Sequence, residues 1–241
     1  MTKINLCIDT GNTSIKVAVF EDKEIKEKVI FDDYENLISW IGIKTYSNII
    51  ISSVKGDEHE FTTSLNNHHV TIFNHKMSLP IVNKYKTPET LGKDRLASVI
   101  GAKSIYPDKN CLIIDAGTCI TYDILIANGE YLGGAISPGL NMRYRALNHF
   151  TAKLPLLQTD LDANFIGNDT HSCITAGIQN GIVFEVEKTI EEYQKLYPEL
   201  HVILCGGDSS FFESKIKGTI FAFPDLVLIG LNHSLLYNAP K

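Results

Sequence analysis

Two short segments of this chain set an acidic side chain and a glycine at the end of an apolar run. The first is Asp9-Thr10-Gly11-Asn12-Thr13 and the second is Asp115-Ala116-Gly117-Thr118. In such a turn glycine supplies positive φ and lets the backbone approach a ligand, and successive N–H groups form a nest for an anion. Thr13 adds a hydroxyl donor and Lys16 a positive charge three residues on. The chemistry that fits is phosphate binding. Asp9 would repel a phosphate directly, so its use is to hold a cation that binds one. A β-hairpin turn calls for the same residue types, so either segment alone reads both ways. Two copies in matched strand context point to a polyphosphate clamped from both sides.

A third segment runs Tyr85-Lys86-Thr87-Pro88-Glu89-Thr90-Leu91-Gly92-Lys93-Asp94-Arg95-Leu96. Pro88 and Gly92 mark a loop, and Leu96, Val99 and Ile100 begin a helix. Asp94 therefore lies at a helix N-terminus. There it either caps the helix or serves as a base beside Arg95, whose fork suits a substrate carboxylate. Gly133-Gly134-Ala135-Ile136-Ser137-Pro138-Gly139 reads as a strand-to-helix passage where backbone approaches a ligand or another chain. Arg143 and Arg145 follow it, for the site, a partner or solvent. Gly206-Gly207-Asp208 suits a nucleotide base or ribose lying on the glycines, or a helix entry capped by Asp208. His68 and His69 lack the carboxylate or cysteine spacing of a metal site. The chain has no Gly-x-Ser-x-Gly, Walker A or Gly-x-Gly-x-x-Gly signature, which removes support for hydrolase-triad, P-loop and dinucleotide readings.

The elements that carry these motifs repeat. The apolar run, Asp-x-Gly turn and second run at residues 6–20 recur 106 residues later at 112–126. After the first copy the pattern predicts a strand at Glu24–Phe31, a helix at Tyr34–Ile43 and a buried strand at 48–54. After the second it predicts a strand at Tyr131–Ser137, helical stretches and a buried strand at His201–Cys205. Ile178, Ile182, Val186, Ile190 and Tyr193 form a helical stripe, and Pro224 marks a last helix. Three-strand meanders followed by helix–strand alternation, twice over, define a duplicated α/β fold with mixed sheets. The expected halves are 1–110 and 111–241, bridged by a helix near Leu96–Ile105, with the ligand in the cleft between them.

Composition is that of an ordinary globular protein. The 241 residues are 44% hydrophobic and 21% charged, and the net charge of −6 argues against nucleic acid as a partner. No apolar run approaches the length of a membrane span and no signal segment opens the chain. Five cysteines without paired spacing read as mostly buried thiols of a reducing cytoplasm. Arg95, Arg143 and Arg145 are the chain's entire arginine content, clustered within 51 residues, which hints at an anion site.

Together the motifs resemble those of the type III pantothenate kinases, in the acetate and sugar kinase/Hsp70/actin superfamily. The matching stretches are Asp9–Thr13, Tyr85 before Gly92-Lys93-Asp94-Arg95, Asp115–Thr118, Gly133–Gly139, and Gly167-Asn168-Asp169-Thr170 before Ala176-Gly177. The resemblance implies a duplicated ribonuclease H-like (actin-like ATPase) fold, two mixed-sheet halves around a nucleotide cleft. It implies ATP-dependent phosphorylation of pantothenate to 4′-phosphopantothenate, the first step of coenzyme A biosynthesis, by a cytoplasmic homodimer. By that resemblance Asp9, Thr10, Gly11, Asn12, Thr13, Ser14, Ile15 and Lys16 contact ATP, as does Thr118. Asp115 would be the ligand of a monovalent cation, K⁺ or NH₄⁺, and Mg²⁺ would lie near Asp9, directly or through water. Asp94 corresponds to the proton acceptor. Tyr85, Gly92, Lys93, Asp94, Arg95 and Thr170 correspond to the pantothenate-binding set. Cys205 stands where the family often has Thr, and Cys119 where a small residue is usual. The alternatives are a sugar kinase or phosphatase on the same fold, and a non-catalytic accessory protein.

Overall fold

The computed structural model describes residues 3–42, 44–54, 56, 62, 63, 65, 69–158 and 163–239. Ile43, the expected end of the first helix, and His68 lie outside them. The strands in chain order are β1 (Ile4–Thr10), β2 (Ile15–Glu21), β3 (Glu24–Phe31), β4 (Asn48–Ser53), β5 (Val70–Ile72), β6 (Val82–Asn83), β7 (Cys111–Ala116), β8 (Cys119–Leu125), β9 (Glu130–Pro138), β10 (His201–Cys205) and β11 (Phe221–Ala222). The helices are α1 (Tyr34–Ile41), α2 (Lys93–Ile105), α3 (Leu140–His149), α4 (Thr170–Leu196), α5 (Ser209–Glu213) and α6 (Leu226–Asn238), with a 3₁₀ turn at Pro88–Thr90.

The first sheet has the order β3-β2-β1-β4-β5. The second has the order β11-β10-β7-β8-β9-β6. Reversed, and without β6, the second order repeats the first strand for strand. In both copies the first strand of the meander pairs in parallel with the strand that follows the helical segment, β1 with β4 and β7 with β10. This is the duplicated mixed-sheet fold that the internal repeat predicts.

Contacts divide the chain into two compact units. One comprises Met1–Asp108, Leu125–Leu132 and Asp225–Lys241, the other Lys109–Ile124 and Gly133–Pro224. In the first, β1 and β4 are buried almost throughout, as interior strands must be, whereas β3 alternates exposed and half-buried residues at the edge. Leu6, Ile8, Val17, Leu37, Ile49 and Ile51 form its core with α1. Asp33 caps α1 by accepting from the Asn36 N–H at 2.8 Å, and Gly42 ends it. On the other face α2 packs against α6. Added Cβ atoms at Gly101 and Gly230 would fall within 2.4 Å of Leu226 O and 1.8 Å of Ala97 O, so these glycines set how closely the two helices approach. A buried amide ladder ties α6 to the sheet: Asn5 Nδ2 donates to Asn232 Oδ1 at 2.9 Å, and Asn48 Nδ2 to Asn5 Oδ1 at 3.0 Å.

In the second unit, Leu112, Ile114, Tyr122, Leu204 and Phe212 meet the α4 stripe of Ile178, Ile182, Val186 and Ile190, with Tyr193 partly buried beside it. Two expectations need correction. The last helix opens at Leu226, because Pro224 and Asp225 form a turn whose Asp225 carbonyl accepts the first helical bond, from the Ile229 N–H at 2.9 Å. The helix predicted from Leu96 starts earlier, at Lys93, and packs within the first unit. Cys173 is exposed on the first turn of α4, while Cys7, Cys111 and Cys205 are buried. Among the described residues no helix is long and apolar enough to cross a membrane.

Candidate active site

Asp9 and Thr10 end β1, Gly11–Ser14 form the connecting loop, and Ile15 and Lys16 begin β2. The Gly11 N–H donates to Ser14 O at 3.1 Å and closes the loop. Asp9 is 8% exposed and lies in register with Lys16 on β2 and Ser52 on β4. Carboxyl ends of parallel strands are where open α/β folds bind ligands, and Asp9 and Ser52 sit at that end of the β1–β4 pair. The side chains within the predicted segment have different tasks. Thr10 is buried and accepts from the Tyr34 hydroxyl at 3.2 Å. Ile15 belongs to the core. Asn12 and Thr13 are exposed.

The expectation of positive φ at the two turn glycines does not hold. Gly11 and Gly117 are absent from the left-handed residues among those described. A four-residue loop reverses the chain without it at Gly11. An added Cβ there would meet Ser14 O at 3.5 Å, an ordinary van der Waals contact.

The second turn is Gly117–Thr118, where the Gly117 N–H donates to Cys119 O at 2.9 Å. Asp115 precedes it, half-buried, in register with Cys205 of the parallel strand β10. Thr118 is exposed. Both glycine-rich segments converge on this turn. The Gly139 N–H donates to Thr118 O at 3.2 Å, and an added Cβ at Gly139 would fall 2.2 Å from Gly117 O. Gly206 has φ +94°, and its Cβ would fall 2.2 Å from Ala116 O and 2.4 Å from Asp115 Oδ1. The Asp208 N–H donates to Ala116 O at 2.9 Å. The Asp208 side chain makes no capping bond to α5, and burial raises its carboxyl above the ordinary value. The close approach expected of these glycines is therefore made to the chain's own second turn.

In the first unit Gly92 is the N-cap of α2, and Lys93, Asp94 and Arg95 form its first turn. Asp94 Oδ1 accepts from the Arg95 N–H at 2.8 Å, an anion at a helix N-terminus. An added Cβ at Gly92 would lie 2.5 Å from that oxygen, so glycine makes room for the carboxylate. Arg95 is only 5% exposed, and its guanidinium sits 5.7 Å from the centroid of the Tyr85 ring. Tyr85 in turn stacks on the fully buried Tyr131, with centroids 6.3 Å apart and planes 5° apart. Tyr85 and Arg95, from one short segment, thus form one cluster with the distant Tyr131, which sequence reasoning missed because it looks like any apolar strand residue. Thr170 stands on a separate element, exposed as the first residue of α4 behind the Asp169–Ser172 capping box.

The stack makes a prediction. Tyr131→Phe keeps the ring and is expected to leave the Michaelis constant for the organic acceptor within about twofold. Tyr131→Leu removes the platform under Tyr85 and is expected to raise it roughly tenfold, the scale of one aromatic pair. Steady-state kinetics on both variants distinguishes them, and equal effects would show that the stack does not position Arg95.

Asp-x-Gly turns at corresponding places in two copies of one mixed sheet, with an acid and a buried arginine at a helix start, belong to a duplicated ribonuclease H-like fold. Solved structures share that fold. A Campylobacter jejuni protein described provisionally as a conserved Baf family transcriptional activator superposes with a TM-score of 0.65 at 20% identity, covering 97% of this chain and 98% of that one. An inorganic polyphosphate/ATP-glucomannokinase from Arthrobacter superposes with a TM-score of 0.54 at 13% identity, covering 98% and 100%. The sequence profile of the type III pantothenate kinases matches residues 5–192. A type III pantothenate kinase of Christiangramia forsetii is 43% identical over 242 aligned positions, covering 98% of this chain and 99% of that protein. The chain belongs to the type III pantothenate kinase family.

Proposed function

We propose that the chain transfers the γ-phosphoryl group of ATP to the primary hydroxyl of pantothenate, giving 4′-phosphopantothenate in the first step of coenzyme A biosynthesis. The observation that carries this is family membership over nearly the whole chain, together with the Asp94 carboxylate next to the buried Arg95. Phosphoryl transfer passes through a loose transition state, so positioning and charge neutralisation supply most of the rate. Arg95, held by Tyr85, pairs with the pantothenate carboxylate. Tyr85, Gly92 and Lys93 stand beside Arg95 as acceptor-binding residues, and the family resemblance adds Thr170 to that set. Asp94 orients the hydroxyl and takes its proton. The loop Gly11–Ser14 with Lys16 in the first unit is assigned to phosphate contact, and so, in the second unit, is the Thr118 turn.

The residues fit the cations this chemistry uses. Mg²⁺ is characteristically held by one or two carboxylates plus phosphate oxygens and waters. A single buried carboxylate at the carboxyl end of β1, Asp9, suits that mode. Asp115 combines a carboxylate with the Ala116 carbonyl under the Gly206 cradle, a set of oxygen donors suited to K⁺ or NH₄⁺. When bound, such ions neutralise charge on the transferring phosphoryl group. Exposed Phe165 and Ile166, at 72% and 80%, with Phe150, Leu156 and Phe184 also exposed, support a homodimer assembled through the second unit. A cytoplasmic location follows from the substrates.

A coupled ADP-release assay with ATP, Mg²⁺ and pantothenate tests the reading. Release is expected to require pantothenate and to rise with K⁺ or NH₄⁺. Release without pantothenate would favour a phosphatase, indifference to both ions would remove the Asp115 role, and a monomer in sedimentation would remove the dimer.

A further inference from the structure

Arg143 and Arg145 follow the glycine-rich segment, and the two have different fates. Arg145 is exposed on α3. Arg143 turns back on the segment that precedes it. Its Nε donates to Pro138 O at 2.9 Å, and one terminal nitrogen donates to Ser137 Oγ at 2.9 Å. The same nitrogen pairs with Glu185 Oε2 on α4 at 2.5 Å. The other Glu185 oxygen accepts from the Tyr122 hydroxyl on β8 at 3.1 Å. Burial alone would raise the Glu185 carboxyl. The Ser137 hydroxyl, the Arg143 guanidinium and the Tyr122 hydroxyl outweigh it and hold the carboxyl below the ordinary value. The Glu185 carboxylate thus joins β8, the end of β9, α3 and α4. The next residue, Gly139, is the one whose N–H meets Thr118 O and whose missing side chain admits Gly117 O.

We propose that Arg143 is a positioning residue for nucleotide binding: locked to Glu185, its guanidinium holds Ser137–Gly139 against the Gly117–Thr118 turn and fixes what that turn presents to the phosphates. This rests on the reading of Thr118 as an ATP contact. A planar fork can hold a carbonyl, a hydroxyl and a carboxylate at once, which a lysine ammonium on a flexible stem does poorly. The arginine is thus explained without any contact to ligand.

The test uses the full chain with Arg143→Ala, Arg143→Lys and Thr118→Ala, reading amide exchange at Gly139 and the Michaelis constants for both substrates. Arg143→Ala is expected to speed Gly139 exchange and raise KM for ATP about tenfold, the worth of a charge-assisted bond. KM for pantothenate should stay within about twofold, since the partners of Arg143 all lie in the second unit and it shares none with Arg95. Arg143→Lys should fall between wild type and Ala. Thr118→Ala should raise KM for ATP without altering Gly139 exchange. Unchanged Gly139 exchange in Arg143→Ala would overturn the proposal, as would equal shifts in both Michaelis constants. If Thr118→Ala leaves KM for ATP unchanged, the reading of the turn fails and takes the proposal with it, and Gly139 exchange still reports whether the clamp itself exists.

Discussion

Asp94→Asn is expected to lower turnover by roughly 10²–10⁴, the range for losing a general base, while the fold stays intact. The substitution is nearly isosteric. Its side-chain oxygen can still accept from the Arg95 N–H, the bond that Asp94 Oδ1 makes at 2.8 Å. The space that Gly92 leaves beside the carboxylate accommodates an amide of the same size. What is lost is the ability to take a proton from the acceptor hydroxyl, along with the negative charge that orients it. In a loose transition state the proton leaves late, so the loss belongs to turnover more than to binding. Single-turnover kinetics and a thermal melt together check this. Near-normal turnover with an unchanged melt would sink the base assignment.

The second large effect is expected at Gly206. Alanine there meets two obstacles. A φ of +94° is one that L side chains rarely adopt, and the added Cβ would lie 2.2 Å from Ala116 O and 2.4 Å from Asp115 Oδ1. Ala116 O is backbone in a paired strand and cannot withdraw. The carboxylate is the partner able to move, and moving it disturbs the candidate cation site. Gly206→Ala should destabilise the chain by about 1–3 kcal/mol, the usual cost of forcing atoms into packed space. It should also abolish stimulation by K⁺ or NH₄⁺. Gly207→Ala is the control, because a Cβ there meets nothing within 4 Å. Equal behaviour of the two variants in chemical denaturation and ion titration would disprove the account.

Much of this architecture was legible because it rests on local pattern. The repeat at 6–20 and 112–126 announced the two meanders, and the apolar runs at 48–54 and 201–205 marked the parallel strands β4 and β10. Asp94 could be set at a helix start from Gly92 and the apolar residues after it. What stayed hidden depends on long-range contact. Nothing in residues 133–139 shows that Gly139 lies on the Thr118 turn, because the partner is some twenty residues away. Glu185 is one acid among several on an amphipathic helix until Tyr122, Ser137 and Arg143 are seen around it. Tyr131 carries no mark of the Tyr85–Arg95 stack. Pro224 misled for a local reason: proline suits a first helical position, and equally the turn before one. The glycines of the two Asp-x-Gly turns misled as well: a four-residue loop removed the need for unusual φ at Gly11, and Gly117 makes its two-residue turn without it.

The amide ladder between β1 and α6 has a consequence for how the chain folds. Asn5 and Asn232 are separated by 227 residues, almost the entire polypeptide. Residues that meet only after so large a loop has closed raise contact order, and the entropy of closure must be met before the contacts repay it. During synthesis the hairpin that carries Asp9 leaves the ribosome long before the helix that covers its sheet, because the whole second unit lies between them in sequence. The first unit is therefore begun before the second and completed after it, and its sheet face stays uncovered while the second unit is made.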